Sequence, residues 1–272
     1  MHPYDRYFYD PVQHKYTVQK WLDDVSKRYG GVDSILMWPT YTNIGADDRS
    51  QFDLFEAMPG GLPGVRAAID ELHAAGVKVL IPYNPWDIGT RRCGAGGTCG
   101  GSENRTNATA VCNASICNSR TACTLCDARI ITGLLKQMNG DGFNGDTMGN
   151  VPEEFYRQSR LINHSIAIEP EGGGGGVIGS QSTGNWDTMG WGYWKYPDIP
   201  NVDTWKWLDS RRMTNVCERW QIDHTNALQG AFFNGVGFET WENVWGTWNG
   251  ITERDGEQIR RLHVLLRFLG GR

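Results

Sequence analysis

No run of about 18 apolar residues occurs in this 272-residue chain, so nothing in it reads as a membrane-crossing helix. A basic cluster is missing too. The 26 Lys and Arg are outnumbered by 31 Asp and Glu, and the net charge of −5 argues against electrostatic binding to nucleic acid or an anionic membrane. There is no G-x-S-x-G elbow and no P-loop. The six histidines lack H-x-x-x-H or facial-triad spacing, so no metal centre and no cofactor are expected. After the first apolar strand stands Pro39-Thr-Tyr-Thr-Asn43, where a dinucleotide fold would need a glycine-rich phosphate turn. Disorder is excluded by 39% hydrophobic and 21% charged residues.

Two residue types are in excess. Glycine numbers 35 and tryptophan 12, nine of the latter falling between Trp186 and Trp248. A core seldom needs so many indole N–H groups, so several of them could instead line a wet, concave surface. Cysteine is concentrated as well: Cys93, Cys99, Cys112, Cys117, Cys123 and Cys126 share one window. That window holds a single C-x-x-C, unlike the paired knuckles of a zinc site. Three glycosylation sequons lie within it, at Asn104, Asn107 and Asn113, and a fourth stands at Asn163. Disulfides in a glycosylated surface loop are therefore expected over a zinc centre, with a secretory or extracellular location. Stoichiometric zinc would favour the metal reading. Cys217 reads as a buried free thiol on a helix.

The periodicity alternates. Helices are expected at 16–29, 62–75, 128–138, 152–160, within 204–228, and at 253–269. Strands are expected at 32–38 (VDSILMW), 77–83 (VKVLIPY), 142–146, 165–168 and 230–238. Such alternation implies right-handed βαβ crossovers and a parallel sheet. Polar and aromatic residues follow nearly every strand, which is the habit of the (β/α)8 barrel, whose chemistry sits at the C-terminal ends of its strands. The expected fold is thus α/β, a TIM-type barrel forming one domain over 1–272 with a cysteine-rich insertion at 88–126. Only five strands are legible; a further one could lie within Tyr7–Tyr9. Met1-His-Pro-Tyr-Asp-Arg-Tyr7 has no apolar signal-peptide core. The expectation is therefore an incomplete barrel, part of a longer protein.

Several strand-end residues could do chemistry. Asp146 closes Asp141-Gly-Phe-Asn-Gly-Asp146, where Gly142 and Gly145 clear space for an approaching group. A carboxylate at a barrel mouth among aromatics suits attack on an anomeric carbon, and this reading is preferred to Asp146 capping the helix near Pro152 or closing a turn. The second carboxyl group of a glycosidase would come from Glu239 or Glu242, first choices because of their aromatic setting, or from Glu169 or Glu171. Trp38, Tyr41, Asn84, Trp86, Asp87, Arg91, Asn144 and Trp241 are candidates for sugar contacts, by stacking or hydrogen bonding. Arg91 could pair with Asp87 or take an anionic sugar group. His224 beside Asp223 reads as a helix-surface pair.

The order VDSILMWP, a helix opened by Gly and Pro, VKVLIPYNPW, then DGFNGD resembles the α-galactosidase-like clan of glycoside hydrolases over roughly Val18 to Phe268. That resemblance implies a retaining mechanism with Asp146 as nucleophile. Where the clan carries Lys two residues earlier, this chain has Asn144, and Glu239 and Glu242 stand in the region of the clan's strand-six Asp acid/base. NPWD-x-GTR and DGFNGDTM are also similar to motifs of uncharacterised glycosidase-like barrels, some of which precede a formylglycine-generating-enzyme-like module. The expected function is hydrolysis of a carbohydrate or glycoconjugate by a carboxylate pair. The alternative is a carbohydrate-binding barrel without turnover, alone or attached to such a module. Carbohydrate is the expected partner in both.

Overall fold

The computed structural model describes residues 1–41, 49–85, 120–149, 151–171, 189–193, 213–218, 223–242 and 250–270. It opens with a short hairpin, β1 (Tyr9–Asp10) against β2 (Lys15–Tyr16). Helix α1 (Val18–Tyr29) follows because Val18, Trp21, Val25 and Tyr29 recur at helical spacing and bury one face. Gly30 ends it in the left-handed region (φ 87°), where its N–H caps the last carbonyls.

Next come β3 (Ser34–Leu36), α2 (Gln51–Glu56), α3 (Gly61–Ala74) and β4 (Lys78–Tyr83). Helix α2 begins at a capping box, in which Ser50 and Asp53 satisfy each other's backbone N–H groups. Then follow α4 (Arg120–Met138), β5 (Gly142–Gly145), α5 (Glu153–Leu161), β6 (Ala167–Pro170) and β7 (Met189–Gly192). The chain goes on through β8 (Met213–Glu218), α6 (Thr225–Asn234), β9 (Gly237–Thr240) and α7 (Glu253–Gly270). No helix among the described residues is long and apolar enough to cross a membrane.

Strands β3-β4-β5-β6 form one parallel sheet and β7-β8-β9 another. A parallel bridge from Glu171 to Trp191 joins the two, giving one row of seven parallel strands. The row is curled, for Trp38 after β3 lies 5.0 Å from Trp241 after β9, ring to ring. The α/β barrel expectation holds in coarse form, but β9 and β3 are not paired among the described residues, so the ring is open there.

Side chains alternate across the strands. Tyr83, Phe143 and Ile168 point outward into the helix layer, where Tyr83 and Phe143 pack on Phe155 of α5 at centroid distances of 5.4 and 5.1 Å. Asn144 and Glu169 point inward, as do Trp191 and Cys217.

Several sequence expectations need correction. Residues 213–218 form a strand rather than part of a long helix, so Cys217 is a buried thiol on β8 and not on a helix. Helix α6 extends to Asn234, and the strand expected from residue 230 begins at Gly237. Tyr9 belongs to the antiparallel hairpin and to no barrel stave. Short glycine-rich strands buried on both faces, such as MGWG at 189–192, carry no two-residue alternation and were not legible.

Candidate active site in the barrel lumen

The inward residues at the C-terminal strand ends gather the polar candidates. Asp146, which follows β5, is 5% exposed and accepts Asn84 Nδ2 at 2.8 Å. Gln51 fixes Asn84 from below: its amide accepts Asn84 N and donates to Asn84 O, each at 2.8 Å. Gln51 was not a candidate, because it opens α2, a six-residue helix too short to show periodicity. Asp146 is not the N-cap of α5, where Pro152 stands without a side-chain hydrogen bond. The two glycines before Asp146 clear no approach to it. A Cβ on Gly145 would meet Met148 Sδ at 2.6 Å, and one on Gly142 would strike the Ala167 carbonyl.

Glu169 lies one layer deeper, 2% exposed, and accepts Asn144 Nδ2 at 3.0 Å and Asn215 Nδ2 at 2.5 Å. Burial pushes its carboxyl up to about 7, against the opposing pull of those two amides. Asn215 is a site residue that sequence reasoning missed, since its strand was read as helix. Gly237 on the next strand makes room for it, because a Cβ there would overlap Asn215 Oδ1. Glu171 is level with Asp146: each follows the paired residues Gly145 and Pro170, and Glu171 accepts Thr147 N at 2.6 Å.

Three indoles occupy the upper lumen. Trp38, Trp191 and Trp241 are buried, and Trp241 lies between the other two, 5.0 Å from Trp38 and 5.2 Å from Trp191 between centroids with the rings tilted, while Tyr41 is 4.7 Å from Trp38. Among the described residues, Trp38 Nε1, Trp191 Nε1, Asn84 Oδ1 and Asn144 Oδ1 are buried without hydrogen-bond partners. Orphaned polar atoms of this kind are costly, and these four lie in the lumen.

The glutamates after β9 lie elsewhere. Glu239 accepts Trp241 Nε1 at 2.5 Å and borders an internal cavity of about 140 Å³ shared with Glu169 and Asn215. Four places separate β9 from β5 in the strand row. Glu242 is gripped in two-pronged fashion by Arg28 of α1, at 2.6 and 2.9 Å, and also accepts Ile251 N at 3.2 Å. This arrangement is a structural clamp. Arg28→Met should strand the carboxylate and cost about 2–3 kcal/mol, discounted because Arg28 is a quarter exposed. The double variant with Glu242→Leu should regain most of that loss. Urea unfolding checks this, and a single-variant loss below about 0.5 kcal/mol would show the clamp idle.

His224 is no surface pair with Asp223. It is buried, with Nδ1 2.8 Å from Asp255 of α7, while exposed Asp223 binds Arg254 at 3.1 Å. Cys126 is buried and disulfide-bonded. Asn163 occupies an exposed turn with φ 51°. Trp86, Asp87, Arg91, Cys93, Cys99, Cys112, Cys117, Asn104, Asn107 and Asn113 lie outside the described residues, as does the side chain of Cys123. No cluster of three or more His, Cys, Asp or Glu that could hold a metal occurs among the described residues.

No family model and no curated protein matches the chain by sequence. Solved structures do match it by fold. A cyclomaltodextrinase has a TM-score of 0.52 at 12% identity, covering 91% of this chain and 54% of that one. An Anoxybacillus α-amylase has a TM-score of 0.51 at 13% identity, covering 93% and 69%. A maltogenic α-amylase from Thermotoga neapolitana has a TM-score of 0.46 at 13% identity, covering 84% and 63%. The chain thus spans between 54% and 69% of the length of these proteins. At such identity the first two likenesses speak to fold: a glycosidase-like α/β barrel at the coarse level.

Proposed function

We propose that this chain carries a glycoside hydrolase site, with Asp146 as nucleophile and Glu171 as acid/base in a retaining mechanism. The observation that carries this reading is the shared level of the two carboxylates on adjacent strands, above a lumen lined by orphaned donors and acceptors. Neighbouring strands lie about 4.8 Å apart, which favours the 5–5.5 Å carboxylate spacing of retaining enzymes over the wider inverting pair.

The chemistry assigns each residue a task. Asp146 attacks the anomeric carbon while Glu171 gives its proton to the departing oxygen; Glu171 then takes a proton from the water that releases the sugar. Asn84 holds Asp146 in one rotamer. Trp38 and Trp191 N–H groups and the Asn84 and Asn144 carbonyls would meet sugar hydroxyls, and Trp241 and Tyr41 would supply the walls. The amylase-type neighbours act through the same barrel shape, which supports hydrolysis but not a particular sugar. Trp86, Asp87 and Arg91 are kept as proposed sugar contacts, and the cysteine-rich segment as a disulfide-bonded, glycosylated surface loop of a secreted protein.

The test is hydrolysis of a panel of aryl α- and β-glycosides. Glu171→Gln should lose roughly 10²–10⁴-fold on substrates with poor leaving groups. On substrates whose leaving group needs no proton it should lose far less. Equal losses on both classes would remove Glu171 from the acid role. No turnover by the wild type, with glycan binding retained, would leave the binding-barrel reading in its place.

A further inference from the structure

The turn from α5 to β6 lies on the N-terminal face of the strand row, opposite the strand ends that carry Asp146 and Glu171. Its backbone is fastened at several points. Ile162 N donates to Gln158 O, Asn163 N to Arg160 O and His164 N to Ser159 O, each at 3.1 Å. Side chains add to these. Ser159 Oγ donates to His164 O at 2.5 Å, Lys136 Nζ of α4 donates to Ile162 O at 2.6 Å, and His164 Nε2 lies 2.7 Å from Gly140 O.

The side chains of the sequon sit differently. Asn163 has φ 51°, a left-handed conformation that asparagine enters more readily than most residues. Its backbone therefore closes the turn, while its amide is left exposed. Ser165 is exposed too, and the two flank His164, which is half-buried and tied to Gly140. Neither the Asn163 amide nor the Ser165 hydroxyl makes a hydrogen bond among the described residues. Asn-His-Ser thus presents its acceptor and its hydroxyl to solvent from a fixed backbone. Leu161, two residues ahead of Asn163, is 64% exposed. A lone exposed leucine is ordinary, but this one lies beside the acceptor.

We propose that Asn163 carries an N-linked glycan whose first sugar lies over Leu161, on the face away from the lumen mouth. The donor is an oligosaccharide held on a lipid diphosphate. Asn163 Nδ2 forms a bond to the sugar C1 and gives up one proton, the C1–O bond breaks, and the lipid diphosphate leaves with that electron pair. The C–H face of the attached sugar then takes part of the Leu161 surface out of water, which stabilises the folded chain. A glycan placed here leaves the strand ends clear for a substrate. This inference rests on the secretory location proposed above and is independent of the glycosidase chemistry.

The test expresses the chain in eukaryotic cells behind a cleavable secretion signal and recovers protein from both medium and cells. Mass spectrometry of the peptide that holds Asn163 should show a glycan on most molecules. Asn163→Gly and Ser165→Ala should abolish it, the first keeping the left-handed turn and the second keeping Asn163. Wild type should melt about 2 °C or more above Ser165→Ala, whose exposed hydroxyl has little effect of its own. In a Leu161→Ser background that difference should disappear. Glycans on the cysteine-rich segment beside an unmodified Asn163 would overturn the inference and leave the secretory location standing. No glycan at any sequon would overturn both. A Tm gain that is absent, or that survives Leu161→Ser, would overturn the contact with Leu161.

Discussion

Asp146→Asn is expected to lower kcat by roughly 10³–10⁵-fold on every glycoside that the wild type cleaves, with little change in Tm. The substitution keeps shape and the local hydrogen bond, since an Asn carbonyl can still accept from Asn84 Nδ2, now at 2.8 Å from the carboxylate. It removes only the charge and the nucleophilic oxygen. In Asp146→Gly, which does vacate the space facing the anomeric carbon, a small anion such as azide should restore turnover on activated substrates, because Glu171 is not needed for a good leaving group. The azide product should then carry the configuration opposite to the substrate's. A variant that keeps more than a tenth of wild-type turnover, with folding verified, would take Asp146 out of the nucleophile role. A variant that fails to fold would be replaced by Asp146→Ser, which removes the Asp146 charge with a smaller side chain.

The strand carrying Asp146 was legible because DGFNGD follows a clear helix and ends an apolar run with a carboxylate. Its environment was not. Asn84 was a candidate only as a sugar contact, and its bond to Asp146 depends on β4 and β5 being neighbours, a fact of pairing rather than of either sequence. Glu242 looked catalytic from its aromatic surroundings, yet Arg28 reaches it from more than two hundred residues away. Asn215 was hidden because MTNVCE has no charge pattern that opposes a helix, and only its parallel pairing with β7 and β9 makes it a strand. Local propensity was silent wherever a strand was short and buried on both faces. The tryptophans were legible as a group, but their packing inside the lumen depends on the curl of the whole row.

Glu169→Gln should make the protein's stability nearly independent of the pH range in which the wild type weakens. In the folded chain this carboxyl titrates at about 7; its ordinary value is 4.5. Below about 4.5 both folded and unfolded chains hold the proton, so the full stability of the protonated group is present. As pH rises through this window the unfolded chain releases the proton first, and stability falls until the folded form ionises too. The loss amounts to roughly 3 kcal/mol between pH 4.5 and pH 8. Glutamine never ionises, and its N–H₂ needs an acceptor. Asn144 Oδ1 has none among the described residues, and a flip of that amide would supply one, while Asn215 continues to donate to the glutamine carbonyl. The variant should therefore match the wild type at pH 4.5 and exceed it at pH 8, as read by urea unfolding at several pH values. Parallel stability curves for the two proteins would show that Glu169 is not the group that titrates. If kcat also inflects near pH 7 and the inflection disappears in Glu169→Gln, the buried carboxyl sets the charge felt by Asp146 one layer above it. If kcat keeps its inflection, Glu169 serves the floor of the lumen alone.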